Sequence, residues 1–449
     1  DFFQVRFGGR WPRILAALGA VLCSFTYVVA QIYGVGLIAS RLTGVQFEIG
    51  IMLGLGGVLL CSFLGGMRAI TWTQVAQYVV LLLAFLIPVS WLAYKQLGNP
   101  LAYGQQLGKI AERESVLLAS AAERQVIAAY EQRMREDAER LADVPAALER
   151  ERREARERIQ LLRSRNADVD LIVAASRELL AMPRDEAEAR ARWTRDLREN
   201  QQRAQPLGGL PRHIQPFVGD PVGDETQQAQ YDLSRRNFIA LLFCLMLGTA
   251  GMPHLLMRYY TVPTVAAARA SVAWSLVFIA LLYLSIPALA ALVKFEVMSH
   301  LVGSRFDALP SWIAQWASVD SSLLSVQDVN GDGIVQFGEI RLGADLLVLA
   351  APEIGGLPYV VSGLVAAGGL AAALSTADGL LLTISNALVR DLYFQPGRRK
   401  ASPEQRVILT KFTLLTVALA AAFVAALKSS EILPLVAASF SIAAATFVP

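Results

Sequence analysis

Eight stretches of about 20 mostly apolar residues constrain this chain more than any other feature of its sequence. A helix of that length crosses a hydrocarbon layer about 30 Å thick. The stretches cover residues 14–37, 46–64, 70–94, 237–256, 271–294, 358–389, 407–427 and 432–449. We therefore predict an all-α, polytopic membrane protein with seven whole spans and an eighth that is cut by the end of the chain.

The composition supports a membrane location and excludes other classes of protein. Hydrophobic residues make up 54% of the 449 residues and charged residues only 18%, which is too apolar for an ordinary soluble protein of this size. The net charge of +3 and the lack of any basic recognition module predict no binding of nucleic acid. No phosphate-binding loop, dinucleotide fingerprint or hydrolase motif is present, so we predict that the protein is not an enzyme.

The sequence divides into three parts. Residues 1–95 contain three spans, residues 96–236 form a polar insert rich in Arg, Glu and Gln, and residues 237–449 contain five spans. Apolar residues recur at heptad-like spacing in the insert, which predicts helices packed as antiparallel, coiled-coil-like arms. The first phase of this pattern comprises Leu141, Leu148, Ala155, Leu162 and Val169, and the second Ile159, Val173 and Leu180.

The role of the insert stays open at this point. It is either a docking surface for an unidentified protein partner or a solvated helical hairpin with no partner, since balanced charge runs are often solvated faces.

Basic residues in the short loops predict the orientation of the spans. Arg6, Arg10 and Arg13 precede the first span, and Arg390 and Arg406 flank the loop after the sixth. Because cytoplasmic loops carry the excess of Lys and Arg, we expect the N-terminal end in the cytoplasm and the insert outside it. We expect the spans to lie in the lipid of the cell's inner (plasma) membrane. The chain starts without Met and stops inside an apolar run, so we expect both ends to be truncated.

Residues 328–339, DVNGDGIVQFGE, match the twelve-position calcium loop of an EF-hand. Calcium prefers six to eight hard oxygen ligands, which this spacing wraps around one point. The predicted ligands are Asp328, Asn330, Asp332, Ile334 through its carbonyl, Gln336 and the bidentate Glu339. The flanking helices are predicted to be short and no second loop is present to pair with it. We expect a structural Ca²⁺ on the extracytoplasmic side, and the alternative is a polar Asp/Gly turn.

The sixth stretch, residues 358–389, carries polar groups inside a span. Ala372, Ser375 and Thr376 are spaced i, i+3 and i+4, so a helix places a carbonyl and two hydroxyls on one face. These oxygens suit a hard cation, but Ser and Thr in membrane helices also bond back to the preceding turn. Asp378 is an acid well inside the span, where a charge costs about 2.5–3.5 kcal/mol and faces a cavity or an ion path.

Three segments carry a resemblance to a known family. LGTAGMPHLLMRYYTVPTVAAARASV at 247–272, AAALSTADGLLLTISNALVRDLY at 371–393 and FLGGMRAITWTQVAQYVV at 63–80 resemble the sodium:solute symporter family, most closely its acetate/cation permease branch. The resemblance implies a LeuT-like inverted-repeat fold and Na⁺-coupled symport of a small organic solute, with a short monocarboxylate such as acetate as the best candidate. It also implies that Ala372, Ser375 and Thr376 are sodium ligands.

The resemblance extends to two further sites. Some members of the family hold an additional cation through an acid on the sixth helix, where this sequence has Gln74. The resemblance therefore implies a second cation site in which Asp378 faces Gln74. The alternatives for Asp378 are a structural hydrogen bond and a proton-coupling group. Gly248 and Gly251 permit local unwinding of the family's broken seventh helix, where exposed polar groups would meet the solute. The other interpretation there is a simple kink. The alternative function for the whole chain is a membrane sensor or docking protein that acts through its insert.

Overall fold

The computed structural model describes residues 2–64, 67–102, 105–165, 167–210, 212–213, 215–256, 258, 262–320, 323–394, 402–427 and 432–448. The first nine helices are α1 (Phe2–Phe7), α2 (Trp11–Thr43), α3 (Phe47–Leu64), α4 (Met67–Leu97), α5 (Leu107–Ala119), α6 (Ala121–Ala142), α7 (Val144–Ser164), α8 (Val169–Leu180) and α9 (Glu186–Arg203). They are followed by α10 (Glu225–Gly251), α11 (Pro253–Leu256), α12 (Val265–Glu296), α13 (Ser311–Val319), α14 (Leu347–Ile354), α15 (Tyr359–Asn386), α16 (Pro403–Ala426) and α17 (Ile432–Phe447). Two short strands, β1 (Leu324–Val326) and β2 (Ile340–Leu342), pair in antiparallel register.

Each of the eight predicted stretches coincides with a helix. In the described part of the chain, α2, α4, α10, α12, α15 and α16 are long and apolar enough to cross a membrane, while α3 and α17 are apolar and shorter. The prediction of an all-α, polytopic membrane protein is confirmed. The inverted-repeat arrangement stays a prediction.

Helix α15 lies at the centre of the membrane part, between α2 and α4. Its buried face carries small and aliphatic side chains such as Ala373, Ala377 and Leu381. A methyl group at Gly368 would clash with the Cβ atom of Ala84 on α4. Small residues let membrane helices approach closely, and van der Waals contact then stabilises the pair.

An ion pair ties the end of α15 to the start of α2. After Asn386 the helix continues as a π-helical segment, Ala387–Tyr393. Nη2 of the buried Arg13 lies 3.0 Å from Oδ1 of Asp391 and donates to the carbonyl of Arg390 at 3.3 Å. Because Arg13 is buried, this pairing fixes the two helix ends in one arrangement.

The described residues of the insert include the five helices α5–α9 and a 3-10 turn at Pro206–Gly209. Helix α6 packs on α9, and α7 packs on both α8 and α9. The small apolar core comprises Val144, Ala147, Leu148, Ala189 and Trp193. Asp143 caps α7 by accepting a hydrogen bond from the amide of Ala146 at 3.2 Å, the usual role of an acid at the start of a helix.

The heptad pattern does not continue through the insert. Val169 and Leu180, one from each phase, are exposed. Helix α7 ends at Ser164 and the chain turns before α8, so the later positions of the heptads no longer face the same partner. The arms are therefore short packed helices rather than a continuous coiled coil.

The insert is joined to the membrane part by an apolar cluster and an ion pair. We call the membrane face from which the insert emerges the insert side. There, a cluster of Ile110, Leu117, Leu207, Ala291, Met298 and Phe337 joins α5 to the end of α12 and to the segment before β2. Nζ of Lys294 on α12 lies 2.5 Å from Oε1 of Glu114 on α5. A second pair, Nζ of Lys95 at 2.6 Å from Oε1 of Glu296, joins α4 to α12 within the membrane part.

Candidate functional site

Near the middle of α15, the three predicted sodium ligands lie within one turn. The hydroxyl of Ser375 donates to the carbonyl of Ala372 at 2.9 Å, and the hydroxyl of Thr376 donates to the same carbonyl at 3.1 Å. These are the local back-bonds that the alternative interpretation predicts. Each hydroxyl oxygen keeps lone pairs, so the cluster also has the chemistry to coordinate a hard cation.

Gln74 and Asp378 flank this cluster. Nε2 of Gln74 on α4 donates to the carbonyl of Ser375 at 2.8 Å, which connects α4 to α15 at the level of the hydroxyls. Asp378 follows Ser375 by one helical turn and is only 2% exposed. A cation held between Gln74 and Asp378 stays a prediction.

A second glutamine on α4 was missed in the sequence. Gln77 follows Gln74 by three residues, so both occupy one face of the helix. Its Oε1 atom is buried and has no hydrogen-bond partner among the described residues. The available signal was the i, i+3 spacing of two amides inside an apolar span.

Gly248 and Gly251 do not unwind α10. Both remain helical, and the chain leaves the helix at Met252, where ψ is 120°. A methyl group at Gly248 would lie 2.5 Å from the Cβ atom of Phe440 on α17. The two glycines serve close packing against α17, and the helix breaks at Met252, directly after Gly251. Their contact with a solute stays a prediction.

The loop at residues 328–339 lies between strands, not helices. Strand β1 precedes it, a 3-10 turn at Phe337–Glu339 ends it, and β2 follows. Val335 exchanges backbone hydrogen bonds with Gly303 and Ser304, both at 2.8 Å. The expectation of short flanking helices is wrong, because the flanking segments β1 and β2 pair with each other as strands.

The first half of the loop curls around Asp328. Its carboxylate accepts hydrogen bonds from the amides of Gly331 at 2.7 Å and Gly333 at 2.9 Å. Both glycines have positive φ, +77° and +73°, which glycine adopts without steric cost. The amide of Ile334 donates to Asp332 at 2.8 Å. The sequence spacing thus produces a tight turn with carboxylates on its inner side.

The second half of the loop directs Glu339 toward backbone amides. Its carboxylate, 2% exposed, accepts hydrogen bonds from Val329 at 2.7 Å and Gln336 at 3.0 Å. The side chains of Asn330, Asp332 and Gln336 bond to one another. No group of three or more His, Cys, Asp or Glu among the described residues is placed to hold a metal ion.

The insert forms hydrogen bonds with the end of this loop. The carboxylate of Glu123 on α6, which is buried, accepts hydrogen bonds from the amides of Phe337 and, at 3.1 Å, Gly338. Nη1 of Arg203, at the end of α9, donates to the carbonyls of Gly338 at 3.1 Å and Ile340 at 3.0 Å. Sequence reasoning did not find this contact. Its signal was an acid, Glu123, on the same face of α6 as the apolar residue Val126.

Comparison with known proteins decides the family. The model of the sodium:solute symporter family matches residues 1–129 and 352–449. This chain belongs to the sodium:solute symporter family. The matched residues include α2–α4 and α15–α17 and therefore the hydroxyl cluster, whereas the stretch 247–272, which also resembles the family, lies outside them.

Several curated proteins resemble this symporter-family chain. An uncharacterized symporter of Cupriavidus necator is 49% identical over 458 residues, covering 100% of this chain and 66% of the relative. A monocarboxylic acid transporter of Corynebacterium glutamicum is 32% identical over 216 residues, covering 47% of this chain and 32% of that protein. An uncharacterized symporter of Bacillus subtilis is 30% identical over 100 residues, or 22% of this chain and 19% of that protein.

The chain thus spans less than two thirds of the length of each of these relatives. No solved structure matches it. The family and its named relatives are transporters and not enzymes, as the sequence predicts.

The contact between the insert and the loop generates a first prediction. Changing Glu123→Ala removes the acceptor of two backbone amides, so Phe337 and Gly338 should exchange their amide hydrogens about tenfold faster or more. Hydrogen exchange with mass spectrometry on the full-length protein measures this. Glu131→Ala, an exposed acid on the same helix, is the matched control. Equal exchange in both variants would show that the bonds do not protect the segment.

Proposed function

We propose that the protein is a Na⁺-coupled symporter of a small organic solute, with a short monocarboxylate such as acetate as the best candidate. The observation that carries the proposal is the cluster of the Ala372 carbonyl with the Ser375 and Thr376 hydroxyls at the centre of the membrane part. Membership of a sodium:solute symporter family supports the coupling ion. The relative named a monocarboxylic acid transporter supports the solute class.

Na⁺ and a monocarboxylate are chemically suited to bind next to each other. Na⁺ and a carboxylate carry opposite charges, so binding side by side reduces the cost of moving each into a low-dielectric interior. In the LeuT-like scheme that we adopt, Na⁺ favours the outward-open state, the solute binds beside it, and one helix bundle rocks against the other. We place the N-terminal end in the cytoplasm and the insert outside, as the basic loops support.

Uptake into proteoliposomes tests the proposal. The full-length protein should accumulate labelled acetate when Na⁺ is high outside, and the accumulation should stop when choline replaces Na⁺. Uptake of labelled amino acids and sugars is measured in the same way, as alternative solutes. Absence of Na⁺-driven uptake of any of them would favour the alternative of a membrane sensor or docking protein.

The hydroxyl cluster itself is tested by the double change Ser375→Ala and Thr376→Ala. Loss of two hard oxygens should raise the Na⁺ concentration for half-maximal uptake by about tenfold or more, the effect of about 1.4 kcal/mol in binding. The matched control is Thr383→Ala with Ser385→Ala, because these hydroxyls make the same back-bonds, to Gly379 and Leu381, further along α15. An equal shift in both double variants would mean that the hydroxyls only support the helix.

Asp378 is proposed to form a second cation site with Gln74. A carboxylate buried at this depth needs compensation from hydrogen bonds or positive charge, and its position one turn from the hydroxyl cluster suits a shared cation path. Asp378→Asn should lower the number of cations moved per solute or their apparent affinity, and Gln74→Glu should restore part of the loss. Charge-to-solute stoichiometry in proteoliposomes measures this. Lower expression with unchanged coupling would assign Asp378 a structural role.

The loop at 328–339 is proposed to bind a structural Ca²⁺. The spacing of Asp328, Asn330 and Asp332 and the tight glycine turn support it. The fit requires Glu339 to leave the amides of Val329 and Gln336 and turn toward the ion. Burial raises the pKa of Glu339, so protons compete for this carboxylate at higher pH than for an exposed one.

Calorimetry on the full-length protein tests the calcium proposal. We expect a dissociation constant on the order of 10⁻⁴ to 10⁻³ M, typical of extracellular calcium modules. Glu339→Ala and Asp332→Asn should each abolish the heat of binding, because each removes a charged ligand. Asp307→Asn, an exposed acid outside the loop, should leave it unchanged. The same heat in all variants would reject calcium binding at this loop.

A further inference from the structure

A cleft of about 650 Å³ lies where the insert meets the β1–β2 hairpin. Its walls come from α6 and α9 of the insert and from both strands of the hairpin, so it is remote in sequence from the hydroxyl cluster of α15. Its volume is within the range of small-molecule sites, roughly 300–1,000 Å³. The lining is strongly charged, with five Arg and five acidic side chains among its residues.

The acidic side chains of the cleft all have partners. Asp137 accepts from Arg140 at 2.7 Å and from Asn200 at 2.7 Å. The remaining four acids have the following partners: Glu199 pairs with Arg341, Asp196 lies 3.8 Å from Arg192, Glu136 accepts from Gln132, and Glu339 accepts from backbone amides. Three of the five acids are therefore paired with arginines, whereas Glu136 is exposed to solvent and Glu339 is directed toward backbone amides.

Two of the five guanidinium groups have no acidic partner in an ion pair among the described residues. Arg203 bonds to backbone carbonyls, which carry no net charge. Arg133 lies over the ring of Tyr130, 5.8 Å from its centroid. Neither takes part in an ion pair within the described part of the chain. Arg203 keeps its positive charge even though burial lowers its pKa, because a guanidinium does not deprotonate in proteins.

Tyr130 connects the two cations. Arg133 and Arg203 line the cleft together with Tyr130, and both act electrostatically on its hydroxyl, as do the acids Glu339 and Glu199. Burial raises the pKa of Tyr130, and its hydroxyl stays protonated and able to donate a hydrogen bond. Two guanidinium groups and a phenol form a donor set that matches the planar oxygens of a carboxylate.

We propose that this cleft is a binding site for a small organic carboxylate, held by Arg133, Arg203 and Tyr130, outside the membrane spans. The site does not require the transport proposal to hold, since its donors come from the insert alone. Binding there would concentrate a carboxylate beside the membrane part, or it would change the hydrogen bonds that Glu123 and Arg203 make with the loop.

Calorimetry with the full-length protein tests the proposal, with succinate, acetate and sulfate as separate probes and no Na⁺ present. The wild-type protein should bind at least one of the two carboxylates. Arg133→Gln and Tyr130→Phe should weaken that binding about tenfold or more, the loss expected for a charge-assisted hydrogen bond. Arg153→Gln, an exposed arginine on α7, should not change it. These substitutions spare the bonds that hold the hairpin, so misfolding does not obscure the result.

The other outcomes separate this site from its rivals. Undiminished carboxylate binding in Arg133→Gln and Tyr130→Phe would overturn the proposal, and so would sulfate binding as tight as that of succinate, since the cleft would then be an unselective anion site. The variant with Ser375→Ala and Thr376→Ala should keep carboxylate binding whether or not the protein transports acetate. Loss of binding in that variant would assign the heat to the transport site instead.

Discussion

The burial of α15 between α2 and α4 determines what the membrane part can do. A helix surrounded by other helices must satisfy every polar group from within the protein. Ser375 and Thr376 do so by sharing the carbonyl of Ala372, and Gln74 reaches across from α4 to the carbonyl of Ser375. The same contacts that make these polar groups tolerable at this depth gather oxygen atoms at one point. Stability and cation chemistry therefore depend on one set of bonds, which explains why a substitution here needs a control with equivalent back-bonds.

The insert depends on a different kind of contact. Its helices have little apolar core of their own, centred on Leu148 and Trp193. They are fixed to the rest of the chain by charged groups that bond to backbone atoms, namely Glu123 to amides and Arg203 to carbonyls. A charged group that bonds to the backbone specifies position more than it adds stability, because its desolvation offsets much of the attraction. The arrangement places α6 and α9 over the hairpin and creates the cleft between them.

The sequence predicts the spans well because their signal is local. In the described part of the chain, six of the eight apolar stretches coincide with helices long enough to cross a bilayer and the other two with shorter apolar helices. Helix starts are equally local, as the cap of α7 by Asp143 shows. The spacing of Ser375 and Thr376 from Ala372 places both hydroxyls on one helix face, and in the structure both donate to the Ala372 carbonyl.

Features that depend on distant parts of the chain could not be predicted in this way. The two strands around the calcium loop pair with each other, and Val335 inside the loop pairs with Gly303 and Ser304. A twelve-residue motif contains no information about these partners. Glu339 belongs to both the loop and the wall of the cleft. If a cation drew this carboxylate away from the amides of Val329 and Gln336, the wall of the cleft would lose one negative charge. Arg203 would then bond to a hairpin of altered shape. By linkage, any such effect of a cation on carboxylate binding must be matched by an equal effect of the carboxylate on cation binding. The two proposed sites of the insert side are thus joined through one side chain, while the hydroxyl cluster of α15 depends on neither.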